Sequence, residues 1–269
     1  MSKFEIIRHR RSVRTFDGRA LQAEDAEKIL AYASALENPY HLPITWRILH
    51  AKEHGLSSPV ISGTDVFIAG KMKRAPHAEE ALGYAFEQVV IFAETLGVGT
   101  TWIAGTMNRS AFEKAMDLAG DEVMPCVSPL GYAAKMSLRE SLMRKGVKAD
   151  HRKAFSELFF EGSFDHPLTS EKAGDLARPL ELVQWAPSAV NKQPWRVILA
   201  DNAAHFYECR SKGYVDKTGW DLQKINVGIA LCHFACGLEE LYRMAHLEIA
   251  DPGIPVPEQT SYIASFLLD

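Results

Sequence analysis

The chain has 269 residues, 47% of them apolar, and a formal net charge of −4, which supports a packed core and excludes both a disordered chain and a broad basic surface for nucleic acid. The four cysteines, Cys126, Cys209, Cys232 and Cys236, are too few and scattered for a disulfide framework. No signal-peptide run follows Met1 to Glu5, and the longest mostly apolar stretch, Ile225 to Leu238, is too short for a bilayer span, so a cytoplasmic protein with no membrane partner is expected.

Residues 4 to 14 open with a helical turn or two and run into a basic knot, with Arg8, Arg10, Arg11 and Arg14 inside seven residues. Such a knot is either a solvated patch or an anion site, where guanidinium forks and Ser12 meet phosphate oxygens. Ala23 to Leu36 is helical, and Asn38 to Pro43 breaks the helix. Thr45 to His50 and Thr64 to Gly70 are strands. Glu79 to Leu96 is the clearest helix; apolar residues occupy nearly all its faces, so it is expected to be central and buried. Gly97-Val98-Gly99 closes that helix and reads as a glycine cap rather than a phosphate cradle. Thr100 to Ile103 is expected as a strand, Ala111 to Ala119 as a helix, and Val123 to Val127 as a buried strand ending at Ser128-Pro129-Leu130-Gly131-Tyr132. A glycine after a strand lets backbone N–H groups approach a ligand. Lys135 to Lys153 reads as loop and short helices.

The stretch Trp185-Ala186-Pro187-Ser188-Ala189-Val190-Asn191-Lys192-Gln193-Pro194-Trp195 joins a helix around Leu176 to Val183 to the strand Trp195 to Ala200. Two prolines stiffen it. It is either a plain connector or a rigid loop presenting Ser188, Asn191 and Gln193 to a flat ligand. Leu222 to Tyr242 is helical, and Tyr262 to Leu267 is a last strand. Cys232, His233 and Cys236 share that helix; with no second ligand pair at usable spacing they read as buried core, and no metal site is assigned.

The chain also repeats itself. Phe164-Asp165 echoes Phe16-Asp17, Pro167-Leu168-Thr169 echoes Ala20-Leu21-Gln22, Trp195 to Leu199 echoes Trp46 to Leu49, and Phe234-Ala235 echoes Phe92-Ala93. The order is the same, and the offsets run from 142 (234 − 92) to 149 (195 − 46). Two halves are therefore expected, 1–161 and 162–269. They are unequal. The second half shows Leu158-Phe159-Phe160-Glu161-Gly162 where the first has its arginines. The first half shows Leu36 to Pro43, without Ser or Gln, where the second has its loop.

Arg10, Ser12 and Arg14 resemble the R-x-S-x-R motif of the nitroreductase family, and Pro187 to Trp195 resembles that family's P-S-x-x-N-x-Q-P-W segment. Pro129-Leu130-Gly131 resembles its P-x-G turn beside the flavin ring, and Arg152-Lys153 its late basic pair. The resemblance covers nearly the whole chain and is greatest to the subgroup that carries both halves in one polypeptide. It implies an α+β fold of two pseudo-symmetric halves, each with helices and a small mixed or antiparallel sheet, fused like a nitroreductase dimer. It implies one FMN between the halves. Arg10, Ser12 and Arg152, supported by Arg11 and Lys153, would hold the phosphate. Arg14 would sit near N1/O2, and Pro187, Ser188, Ala189, Asn191 and Gln193 would hold the ring. The chain would then be a monomeric pseudo-dimer or a homodimer. NADH or NADPH would dock transiently, since no dinucleotide fingerprint occurs, and a nitroaromatic, quinone or similar small molecule would be reduced in ping-pong fashion. No catalytic side chain is required. The rival readings are a non-catalytic flavin-binding protein and a reductive dehalogenase or flavin-degrading relative on the same fold.

Overall fold

The computed structural model describes residues 1–215 and 219–269. The helices are α1 (Lys3–His9), α2 (Ala23–Ala35), α3 (Ala51–His54), α4 (Ala78–Thr95), α5 (Arg109–Ala115), α6 (Leu138–Gly146), α7 (Phe155–Leu158), α8 (Ser170–Ala173), α9 (Ala177–Trp185) and α10 (Leu222–Glu240). The strands are β1 (Thr45–His50), β2 (Val66–Lys73), β3 (Glu122–Val123), β4 (Val127–Leu130), β5 (Phe159–Glu161), β6 (Trp195–Ala200), β7 (Ala203–Cys209), β8 (Ala245–Glu248) and β9 (Thr260–Leu268).

Two compact units result. The central unit comprises His9–Ala78 and Ala85–Val147; the terminal unit comprises Met1–Arg8, Glu79–Tyr84 and Lys148–Asp269. This division differs from the expected boundary at 161, because residues 148–161 fold with the C-terminal part of the chain. Backbone hydrogen bonding is the cause: β5 lies parallel to β6 with Phe159 opposite Val197, and Leu168 N donates to Phe159 O at 2.9 Å.

In the central unit β2 pairs antiparallel with β1, β3 and β4. All of β2 but its last residue is buried, as expected of an inner strand. Phe67 meets Phe112 of α5 edge-on, with ring centroids 5.1 Å apart, and Leu49, Ile103, Met116 and Val127 complete that core. The helix α4 ends as expected. Gly97 adopts φ +71°, its N–H bonds Glu94 O, and Val98 N–H bonds Ala93 O, the paired closure that left-handed glycine permits.

Two expected strands differ. Thr100 to Ile103 forms only isolated bridges, Ser12 with Thr100 and Ile103 with Val127. Val123 to Val127 is split between β3 and β4 by Met124-Pro125-Cys126. Pro125 has no N–H to give a ladder. The carbonyls freed there are taken by Arg109, whose guanidinium donates to Met124 O and Pro125 O at 2.9 and 3.0 Å.

In the terminal unit the order is β5-β6-β7-β9-β8, parallel only between β5 and β6. Phe206, Phe234 and Phe266 form a mutual aromatic cluster between this sheet and α10. Helix α10 is buried through most of its length, Cys232 and Cys236 included, and His233 Nδ1 lies 2.8 Å from Leu182 O of α9. Among the described residues no helix is long and apolar enough to cross a membrane.

Candidate functional site

The basic knot is built on an extended segment in the central unit. Val13 N donates to Thr100 O at 2.8 Å, Phe16 N to Ser62 O at 2.8 Å, and Ser62 N to Arg14 O at 3.0 Å. In extended backbone alternate residues share a face, so the buried Val13 turns one way and Ser12 and Arg14 the other. Gly99 provides the bed: a Cβ there would lie 2.9 Å from Val13 Cγ2.

Arg10 is no solvated residue. Its side chain is 5% exposed, and Nε stands 3.8 Å from Oε1 of the fully buried Glu87. Glu87 is oriented in turn by Trp102, whose Nε1 donates to Oε2 at 2.8 Å. Nε and Nη1 of Arg10 are buried and have no hydrogen-bond acceptor among the described residues. A buried, under-bonded guanidinium is the donor set that a phosphate monoester satisfies. Arg11 differs. Its Nη1 is bonded to Glu140 Oε1 at 2.9 Å, and Glu140 Oε2 takes Thr15 N at 3.2 Å. Burial lowers the Arg14 pKa; Glu140 opposes that shift and Arg144 adds to it. Arg14, Thr15, Ile61, Ser62, Ser137 and Glu140 line a cleft.

Also in the central unit, Pro129 and Leu130 are the last residues of β4, opposite Phe67 and Val66. Gly131 O accepts from Gly99 N at 2.7 Å. A Cβ on Gly131 would lie 2.8 Å from Phe16 Cδ1, so a neighbouring side chain already demands glycine here. Ligand approach is not needed to explain it.

In the terminal unit, α9 ends at Trp185 and the loop turns sharply. Val190, Asn191 and Gln193 all take positive φ, at 50°, 55° and 50°. For a β-branched residue such as Val190 this is a strained conformation. Polar side chains hold it. Ser188 Oγ accepts from Gln193 N at 2.9 Å, and Asn191 Nδ2 donates to Lys148 O and His151 O at 2.7 and 2.9 Å. Gln193 Oε1 accepts from Lys153 N at 2.9 Å. The amides of Asn191 and Gln193 therefore pin the loop to residues 148–153. Ala189 N donates to Asn226 Oδ1 of α10 at 3.2 Å. Arg152 donates to Ala149 O and His151 O at 2.8 and 2.9 Å, and its guanidinium sits 4.9 Å from the Trp185 ring centroid. Lys153 is held by its backbone, with its carbonyl taking Gln184 Nε2 at 2.7 Å.

Glu87 and Trp102 were missed by sequence reasoning. A signal existed. Glu80, Glu87 and Glu94 are spaced by seven in a largely apolar helix, and an acid inside such a helix needs a partner.

A family model described as "Putative TM nitroreductase" matches residues 3–238. The structure of a "putative nitroreductase" from Thermotoga maritima is 20% identical, covers 100% of this chain and 94% of its own, and has a TM-score of 0.66. That likeness bears out the expected α+β nitroreductase-like fold. A nitroreductase family protein from Clostridium difficile 630 is 16% identical over 50% of this chain and 86% of its own, with a TM-score of 0.44. An "FMN-dependent Nitroreductase" from Clostridium difficile R20291 is 16% identical over 49% of this chain and 88% of its own, with a TM-score of 0.43. No curated protein matches the chain.

Proposed function

Because the chain belongs to the nitroreductase family matched over residues 3–238, we propose that it is an FMN-dependent oxidoreductase. NADH or NADPH is the reductant, and a nitroaromatic, quinone or similar small molecule is the acceptor. FMN, when bound, would supply the hydride-transfer chemistry, with reductant and acceptor using the same site in ping-pong order.

The observation that carries this reading is Arg10. A guanidinium with a side chain 5% exposed and two under-bonded nitrogens is costly unless an anion completes it. Glu87 fixes its position; Ser12 adds a hydroxyl. Arg14 would place positive charge near the edge of the ring where negative charge develops on reduction, and its partial burial would strengthen that interaction. The loop Pro187 to Gln193, held rigid by its own amides, presents a preformed surface to the ring, with Ser188 and Ala189 at its start. Pro129, Leu130 and Gly131 contribute backbone. Arg152 and Lys153 add positive charge, while the Arg152 donors serve carbonyls.

The test is anaerobic mixing of the flavin-loaded protein with NADH or NADPH. Prompt bleaching of the yellow colour, reversed by menadione or a nitroaromatic, is expected of a flavin oxidoreductase. A protein that keeps its yellow colour under excess NADH and excess NADPH binds flavin without this chemistry.

A further inference from the structure

The cleft beside Arg14 runs between residues 60–62 and the first turns of α6, all within the central unit. Its free volume is about 40 Å³, room for roughly three waters or one carboxylate and too little for a ring system. Two guanidinium groups line it, those of Arg14 and Arg139. Neither donates a hydrogen bond to an acceptor among the described residues. The one acid of the cleft is already engaged, since Glu140 Oε1 takes Arg11 Nη1 at 2.9 Å and Oε2 takes Thr15 N at 3.2 Å. Burial lowers the Arg14 pKa despite Glu140, and Arg144 adds to that shift. An anion in the cleft would favour the charged form again.

A hydroxyl completes the donor set. Thr15 Oγ1 donates to Ser137 Oγ at 3.0 Å, and Glu140 N donates to the same oxygen at 3.1 Å, which leaves the Ser137 proton to be offered. Two guanidinium forks and a hydroxyl proton suit an oxyanion. Val60, Ile61 and Met143 are half-buried and give the cleft an apolar wall beside these charges.

We propose that the cleft binds the carboxylate of an acidic electron acceptor, with Arg14 and Arg139 clamping the acid and Val60, Ile61 and Met143 carrying the apolar body. This rests on the oxidoreductase reading above and adds to it the substrate class. Arg14 decides between the acid of an acceptor and the 2′-phosphate of NADPH. In that reading Arg14 stands near the ring edge, so an anion that shares it lies one side chain from the reacting centre. The acid of a small aromatic acceptor fits that short span. The 2′-phosphate lies at the far end of the dinucleotide from the carbon that gives up hydride. Arg139 is then a specificity residue, and the carboxylate takes no part in the electron transfer.

Calorimetric titration of the flavin-loaded protein with benzoate and with benzamide, neither of which is reduced, reads the cleft directly. Benzoate is expected to bind at least about tenfold more tightly, as one charge-assisted hydrogen bond implies. Arg139→Gln should bring the two dissociation constants together. Arg139 is exposed, and the wild-type comparison requires no variant to fold. Under turnover, para-nitrobenzoate should show a KM at least about tenfold below that of para-nitrobenzamide, although the amide is the more electron-poor of the two. The difference should lie in KM and not in kcat, because the carboxylate is held alike in ground and transition states. Equal affinity for benzoate and benzamide in a protein that NADH or NADPH still bleaches overturns this inference and leaves the FMN reading standing. A preference for benzoate that survives Arg139→Gln places the acid elsewhere and also overturns it. NADPH favoured over NADH in the wild type, with that preference lost in Arg139→Gln, would assign the cleft to the 2′-phosphate instead. A protein bleached by neither reductant overturns the oxidoreductase reading, and this inference with it.

Discussion

Gly83 of α4 and Gly228 of α10 meet each other's helix in the same way. A Cβ on Gly83 would lie 2.2 Å from Ile225 O, and a Cβ on Gly228 would lie 2.2 Å from Glu80 O. The relation is reciprocal: 83 + 145 = 228 and 80 + 145 = 225. Residue i touching j while j's equivalent touches i's equivalent is the mark of a two-fold interface, here within one chain. The offset falls inside the range of the sequence echoes, though it aligns the helices three residues away from the pairing of Phe92-Ala93 with Phe234-Ala235. The sheets agree, since β1-β2-β4 and β6-β7-β9 share one antiparallel order. From these features and the sequence echoes we propose that the chain arose by internal duplication.

Alanine at either glycine should reveal the crossing. In an exposed helix Gly→Ala stabilises by roughly 0.5–1 kcal/mol. At Gly83 and Gly228 the sign should reverse, with a loss of about 1–3 kcal/mol or more from overpacking against backbone. Gly146→Ala at the end of α6, where nothing lies within 4 Å of the added carbon, is the control. Thermal unfolding midpoints decide the matter. Stabilised Gly83→Ala and Gly228→Ala proteins would mean that the helices are not in contact.

Arg10→Ala should weaken FMN binding far more than Arg8→Ala. Arg8 lies over the Trp185 ring, 5.5 Å from its centroid, while Arg10 is buried beside Glu87. A charge-assisted hydrogen bond to phosphate is worth roughly 1.5–3 kcal/mol, or about ten- to a hundredfold in Kd. Titration of each apoprotein with FMN, followed by flavin fluorescence, measures both. Equal dissociation constants would return the knot to a plain surface patch.

One FMN per chain is expected, and FMN rather than FAD. The terminal unit carries Leu158 to Glu161 at the place of the first half's arginines, with no cation there for a second phosphate. No glycine-rich pyrophosphate loop occurs in the chain. Flavin released by heat, identified by chromatography and divided by protein concentration, gives species and ratio together. Two flavins per chain, or FAD as the main species, would contradict this assignment.

Val190→Asn should raise the unfolding temperature without weakening FMN. Val190 is 58% exposed at φ 50°, so its side chain gains little from packing while its backbone bears left-handed strain. Relief is worth on the order of 1 kcal/mol, since asparagine tolerates this region. A destabilised variant would show that the valine side chain, and not the loop's polar pins, holds the turn.

Local chemistry made much of this protein legible. The strands Thr45–His50 and Trp195–Ala200 have the limits that their patterns imply, because β-branched and aromatic runs bounded by turn residues carry their own signal. The glycine cap at Gly97 and the polar loop between Pro187 and Pro194 are likewise written in adjacent residues. Features that depended on partners were hidden. Thr100 to Ile103 reads as a strand but forms only isolated bridges, while residues 159–161 pair in parallel with β6 and residues 148–153 are held by the side chains of Asn191 and Gln193. The ladder that forms is set by which strands meet, and that is a non-local matter. The same holds for Glu87, Glu208, Gln223 and Asn226. Their residue types suit a surface as well as a core, and only packing buried them, leaving donors and acceptors on the last three without partners among the described residues. Sequence determined most of the elements and the family they resemble; tertiary structure alone decided which polar groups lost water, because desolvation belongs to the assembled fold and not to any one segment.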